Sequence, residues 1–440
     1  MTGAAEPADT APAPGTGNPV GQALDRLGRR PGRAFLLLFL FFCAVQGFFL
    51  SKVSERYIEP DTRWELPAIA VSLAEKGAFA DPFALPTGPT AHLPPIPPAI
   101  FGLSYKVFGL NLAGGYGAWI ANIAIYAALW AMLPWVAGAL GLGGGAGVVA
   151  GVIGGVIPRW SDHGEGLAAL ALGLLMVAFL RRWTAAPNDT PAAATATPTG
   201  ALLLGAAGGV AFHVQPALLP VFLGWMAFEL WWRRDRGKWL HAGLLALGIV
   251  LACLPWGVRN YRAFDAVFFI RSNFGLELRM GNHEGVAASF DVMDRRGEEY
   301  IHPRALEREA RKVQEMGEVR YMRDAGREAM DWIRENPGEF AGLTASRAAH
   351  WWLGPLDYPP GAFLVTLLTL LALVGAWLAF PGISVPQRAA VLIPLLTFPL
   401  VYYVVAYMPR YREPVDWIFL LIAAAAITHA GQSSRRSPSE

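Results

Sequence analysis

The chain has 440 residues, of which 54% are hydrophobic and only 16% charged, with 16 Trp and 24 Phe; an ordinary soluble domain carries about 25% charged residues. The charges are clumped, chiefly at 258–350 and in short basic runs, so the long charge-free stretches between them point into lipid rather than to a soluble core. A formal net charge of +2 suggests no nucleic-acid partner, and any anionic ligand must be held by locally placed arginines.

Residues 1–32 are rich in Ala, Pro, Gly and Thr and end in the basic stretch Arg26 to Arg33, a composition that buries no core and reads as a disordered cytoplasmic tail. Ala34 to Val53 is long enough to cross a hydrocarbon layer of about 30 Å and lacks a small-residue cleavage site, so it is expected as a retained helix. Cys43 and Cys253 each lie within apolar runs and read as small buried hydrophobes. Beyond the first span, Glu65 to Lys76 is expected as a short amphipathic helix with Pro67 in its first turn and Gly77 at its end.

Further apolar segments lie near 115–138, 144–158, 166–181, 200–214, 216–232, 240–257, 361–380, 388–408 and 414–430. The fold expected is therefore all-α and integral to the membrane, with about ten transmembrane helices, or eleven if 93–110 spans. Arg181-Arg182, the basic run from Arg233 to Lys238, Arg388 and Arg435-Arg436 share the side of the N-terminal arginines, which puts both termini in the cytoplasm. The opposite side of a plasma (inner) membrane, the periplasmic or outer face, then receives 54–114, 159–165, 258–360 and 407–413. Counting 93–110 as a span inverts every later loop, so it is expected to lie in the outer interface instead.

The organisation that follows is a tail at 1–32, an N-terminal bundle at 33–257 carrying the outer loop 54–114, an outer helical region at 258–360, C-terminal spans at 361–431 and a tail at 432–440. Residues 183–199 read as a flexible cytoplasmic linker. In the outer region, apolar residues from Leu306 to Ile333 recur at helical spacing, with an interruption near Gly317 and a stop at Asn336-Pro337-Gly338. Arg271 to Gly285 is a glycine-punctuated stretch, better suited to contacting a polar ligand than to packing.

Chemistry-bearing residues gather in the first outer loop: Glu59-Pro60-Asp61-Thr62-Arg63-Trp64-Glu65, then Gly88-Pro89-Thr90-Ala91-His92-Leu93-Pro94-Pro95. An acid soon after the first span, an aromatic three positions later, an amphipathic helix ending in glycine and a His-x-Pro-Pro turn back to the bilayer together resemble the GT-C superfamily of membrane glycosyltransferases. The nearest branch is the protein-mannosyltransferase and aminoarabinose-transferase-like one, of glycosyltransferase family 39 type. Arg410-Tyr411-Arg412-Glu413-Pro414 is similar to the late RYR-x-P element of that branch. The resemblance covers roughly 50–430, although only these two stretches are distinctive; Pro60 before Asp61 and Thr62 after it depart from the common pattern.

The resemblance implies transfer of a sugar from a polyprenyl-phosphate carrier to a lipid, polysaccharide or protein acceptor, with inversion and with Asp61 as general base. Glu59 is the competing carboxylate for that role. Holding the departing phosphate suits His or Arg, because a planar guanidinium grips two phosphate oxygens and stays charged. On the expected face stand His92, Arg259, Arg271, Arg279, Arg347, Arg410 and Arg412, with His92, Arg410 and Arg412 in the family-like motifs; Arg63 and Asn282 complete the substrate-binding set. Asp162, His163 and Glu165 form a polar cluster open to three readings: loop polarity, recognition of a substrate hydroxyl, or a metal. No phosphate loop or dinucleotide fingerprint occurs, in keeping with a lipid-borne donor. No cofactor is expected, and arginine neutralisation of a lipid monophosphate leaves room for a divalent metal without requiring one. The rival class is a transporter or flippase of lipid-linked sugars, disfavoured by spans nearly free of charge and by the absence of a convincing repeat.

Overall fold

The computed structural model describes residues 27–28, 30–158, 164–183, 197–233, 237–297 and 299–433. Among these the chain is all-helical, with two isolated bridge pairings, Ala80 with Pro89 and Ser289 with Tyr407. In chain order the helices of the first half are α1 (Pro31–Leu50), α2 (Glu65–Lys76), α3 (Ile96–Phe108), α4 (Leu112–Ala139), α5 (Gly144–Gly155), α6 (Glu165–Arg181), α7 (Pro198–Phe212), α8 (Leu218–Trp232) and α9 (Lys238–Phe264). There follow α10 (Phe274–Gly281), α11 (Phe290–Arg296), α12 (Glu307–Met316), α13 (Glu318–Glu335), α14 (Pro337–Leu353), α15 (Pro359–Ala379), α16 (Val385–Thr397) and α17 (Glu413–Ser433).

Five helical stretches are long and apolar enough to cross a membrane: Pro31–Leu50, Leu112–Ala139, Lys238–Phe264, Pro359–Gly382 and Val385–Tyr403. Shorter apolar helices occupy Gly144–Gly155, Pro198–Phe212 and Leu218–Trp232. Large apolar side chains such as Leu37, Phe48, Leu373 and Trp377 stand exposed on the outside of the bundle, which fits a protein embedded in lipid rather than one in water. Segment 93–110 holds the 13-residue α3, shorter than these five stretches.

The bundle core runs from Phe42 through Trp130, Leu133 and Phe179 to Trp417 and Ile418. Small residues let its backbones approach closely: a Cβ on Gly205 of α7 meets the Leu245 carbonyl of α9, and one on Gly248 meets the Leu202 carbonyl in return. α6 sets the long dimension of the site's surroundings. Its first residue, Glu165, faces Arg410, and its last, Arg181, lies over Trp135 near the far end of α4, where Gln387 also donates to the Ala139 carbonyl.

The helix expected over 65–76 has those bounds, and Gly77 closes it at φ +64, a conformation that carries no steric penalty only for glycine. Two expectations in the outer region need correction. The glycine-punctuated stretch 271–285 is not a free loop: α10 forms within it and crosses α13 so closely that a Cβ on Gly275 would meet the Met322 carbonyl. Asn336-Pro337-Gly338 ends α13 but also starts α14, because proline fits the first helical position, where no N–H partner is needed.

Candidate functional site

Three stretches distant in sequence meet above the bundle. Ala84 N–H donates to the Pro303 carbonyl, Ser272 N–H to the Ala91 carbonyl, and Phe290 N–H to the Tyr407 carbonyl, tying the first outer loop, the outer helical region and the segment before α17 together. Glu318, at the start of α13, is the main brace. Its buried carboxylate accepts from Thr90 Oγ1 at 2.5 Å, Ala91 N at 2.8 Å and Ser272 Oγ at 2.6 Å. Burial pushes the Glu318 carboxyl up, while these bonds and the Arg259 charge work against that. Arg304 is the second brace, donating to the Arg63 carbonyl at 2.7 Å, to the Phe83 carbonyl at 2.6 Å and to the Thr62 carbonyl.

Within this frame lies an open polar cluster. Arg271 donates through Nε to the His92 carbonyl at 2.8 Å, and its Nη2 stands 3.7 Å from Glu277. Arg410 Nε stands 3.8 Å from Glu165 and has no hydrogen-bond partner. Tyr411, 5.6 Å beneath the Arg410 guanidinium, stacks on Tyr402 at 4.6 Å. Both arginine side chains remain partly exposed, at 23% for Arg271 and 31% for Arg410. Burial alone would lower the Arg410 pKa, but the fields of Glu165, Tyr411 and Glu65 outweigh it and hold it above its ordinary value. Burial, reinforced by Glu277, pushes the Tyr411 hydroxyl up, so it is a neutral hydrogen-bonding group at physiological pH.

His92 and His302 sit beside the cluster with ring centroids 5.3 Å apart, both 2% exposed. Burial, with the neighbouring His302 and Arg271, holds the His92 imidazole well below its ordinary range, and burial brings His302 down to about 4, so both are neutral. Glu65 Oε1 lies 3.6 Å from His302 Nδ1. Among the described residues, Glu65, His92 and His302 could hold a metal ion, their ligand atoms lying within 4.8 Å of one another.

Comparison with protein-family models, curated proteins and solved structures finds no match for this chain. The reading of the site therefore rests on its own geometry.

The expected site residues fall into three groups. His92, Arg271, Glu165 and Arg410 come together in the cluster. Asp61 and Arg63 stand at its rim, where Arg63 chelates both Asp61 oxygens at 2.9 Å and donates its backbone N–H as well. That pairing, burial notwithstanding, holds the Asp61 carboxyl below its usual range, and Arg304 adds to the effect. Glu59 is exposed.

The remaining residues are engaged elsewhere. Arg259 is a strut that donates to the Thr90 carbonyl at 2.7 Å and the Phe79 carbonyl at 2.8 Å while stacking over Trp256. Arg279 is bound by Glu309 at 3.0 Å and Tyr321 at 2.6 Å. Asn282 donates to the Leu278 and Val404 carbonyls and accepts from Arg347, which burial brings to a pKa of about 10. Arg412, 1% exposed, turns into the bundle to meet Asp416 at 2.8 Å and the Trp351 carbonyl at 3.1 Å. Asp162 and His163 lie outside the described residues.

Sequence reasoning passed over Glu65, Glu277, His302, Arg304 and Glu318. One signal was present: Tyr300-Ile301-His302-Pro303-Arg304 repeats, inside the charged region, the pattern of a histidine ahead of proline that singled out His92.

Proposed function

We propose that this protein is a membrane glycosyltransferase of GT-C type, moving a sugar from a polyprenyl-phosphate carrier to a lipid, polysaccharide or protein acceptor of the cell envelope. The observation that carries the reading is the pair Arg271 and Arg410. Each is half-buried at the outer cluster and each faces a glutamate too distant to hydrogen-bond, so the guanidinium donors remain able to take phosphate oxygens.

In this reading the acceptor hydroxyl attacks the anomeric carbon as Asp61 takes its proton, the bond to the carrier's phosphate oxygen breaks, and the configuration inverts. Arg271 and Arg410 take up the charge that develops on the departing phosphate. Arg63 keeps Asp61 ionised and therefore able to accept a proton, and an exposed ion pair of this kind exchanges readily for a substrate contact. Glu59 is exposed and takes no part.

All ten apolar segments cross the plasma membrane in this account, with both termini cytoplasmic and the cluster on the non-cytoplasmic face. Arg181, Arg182 and Arg233 at the end of the helices remote from Arg410 support that orientation, since basic residues are retained on the cytoplasmic side.

Reconstitution of the purified protein with radiolabelled polyprenyl-phosphate sugars and membrane extract tests the reading. Wild type is expected to label the extract, Asp61→Asn to fall roughly 100- to 10,000-fold, and Glu59→Gln to stay near wild type. Full transfer by folded Asp61→Asn removes Asp61 as base. Movement of the lipid-linked sugar across the bilayer without transfer replaces the enzyme by a transporter.

A further inference from the structure

Outside the arginine pair, the reading above leaves one group of ligating side chains, a half-buried glutamate and two buried histidines, without a task. Glu65 opens α2, His92 stands in the proline-rich turn before α3, and His302 lies in the turn before α12. These segments are separated by 27 and 210 residues of sequence, yet the three ligand atoms lie within 4.8 Å of one another. We infer that Glu65, His92 and His302 form a binding site for a transition-metal dication, of which zinc fits best, and that the ion staples the first outer loop to the outer helical region.

Two independent observations support this. First, the donor set is chemically apt: two neutral imidazoles and a carboxylate are zinc ligands that leave a fourth tetrahedral position for water or an anionic group. Ligand atoms at about 2.0–2.2 Å from zinc lie about 3.3–3.6 Å apart in a tetrahedron, and Glu65 Oε1 is already 3.6 Å from His302 Nδ1. Second, His92 Nδ1 is buried without any hydrogen-bond partner, although the residue is only 2% exposed. A histidine serving merely as an aromatic packing unit against Phe83, 5.0 Å away, leaves that polar atom uncompensated. Rotation of its ring toward Glu65 and His302 supplies a partner.

The His92 main chain and the His302 ring are both held in place. The His92 carbonyl accepts from Arg271 and its N–H donates to Thr90 Oγ1, while the His302 ring is stacked on Tyr300 at 5.3 Å. One feature opposes the ion: His302 Nδ1 accepts the Arg304 N–H at 3.0 Å. Coordination through Nδ1 exchanges that single amide hydrogen bond for a metal–nitrogen bond, which is much the stronger interaction. The inference does not depend on sugar transfer, and its readouts are metal content and stability.

The test uses the full chain in detergent, stripped with a chelator and then titrated with zinc chloride, with bound metal measured by mass spectrometry after desalting. Wild type is expected to retain one zinc per chain and to regain on zinc addition the melting temperature lost on chelation. Glu65→Gln, His92→Ala and His302→Ala are each expected to lose at least nine-tenths of the bound zinc and the zinc-dependent shift. Wild type that binds no zinc, or folded variants that keep one zinc per chain, overturn the proposal. Should a histidine variant fail to fold, the chelation and restoration of wild type and the Glu65→Gln measurement still decide it.

Discussion

Arg279 and Arg410 are both arginines drawn out of water beside a glutamate and a tyrosine, yet their surroundings differ in completeness. The terminal nitrogens of Arg279 are engaged by Glu309, Tyr321 and Glu328 at 2.6–3.2 Å, and Tyr321 donates in turn to Glu309 at 2.6 Å. Around Arg410 the nearest carboxylate oxygen is 3.8 Å away, and Arg271 repeats the pattern with Glu277 at 3.7 Å. The first arrangement engages both terminal nitrogens, leaving only Nε without a partner, and holds α10 to α12 and α13. The second gathers charge without consuming it, as a site that awaits an anionic ligand must, because a guanidinium already saturated by carboxylates has no donors left to give.

If that contrast is right, substitutions in the Arg279 network act on stability and those in the open cluster act on ligands. The largest expected effect on stability comes from Arg279→Met, which removes the guanidinium shared by Glu309, Tyr321 and Glu328 and leaves the buried Glu309 with Lys312 and Tyr321 alone. A loss of about 3–5 kcal/mol is expected, read as a lower thermal midpoint in detergent. A folded variant of unchanged midpoint would erase the distinction. Glu318→Gln is expected to cost about 1.5–3 kcal/mol, since three donors lose a charged acceptor; its readout adds proteolysis within residues 80–92, because the first outer loop loses its brace.

The smallest effect is a pH dependence. Burial alone would raise the Glu309 carboxyl, but hydrogen bonds from Lys312, Tyr321 and Arg279 bring it from 4.5 to about 2. A carboxyl whose folded pKa is depressed contributes stability above its unfolded pKa and loses it as pH falls. Wild type is therefore expected to lose stability between 4.5 and about 2 by more than Glu309→Gln does. Parallel melting curves of the two proteins over that window would contradict the assignment.

Much of the fold was legible because its causes are local. Apolar runs mark the helices, five of them long enough to cross a membrane among the described residues, and Gly77 marks the end of α2 because only glycine takes φ +64 there without strain. The site was half legible. His92, Arg271, Glu165 and Arg410 stand out by residue type and by the side of the membrane expected for their loops. What the linear sequence hides is which of several outer arginines is already spent. Arg412 shares a motif with Arg410 but is two residues on, and in the tight helical turn at Pro409–Arg412 that spacing sends one guanidinium to Glu165 and the other to Asp416 inside the bundle. Glu65 and His302 were hidden for the opposite reason: each looks like an ordinary helix-start or loop residue until chain segments 237 residues apart are brought together.

The most direct test of the central claim, that the open cluster binds the phosphate of a lipid carrier, is equilibrium binding of polyprenyl phosphate to the purified protein in detergent. Loss of one charge-assisted contact is expected to weaken binding about 10- to 100-fold in Arg410→Gln and in Arg271→Gln, with thermal midpoints near that of wild type. Undiminished binding by both folded variants would contradict the account, whatever the protein is then found to transfer.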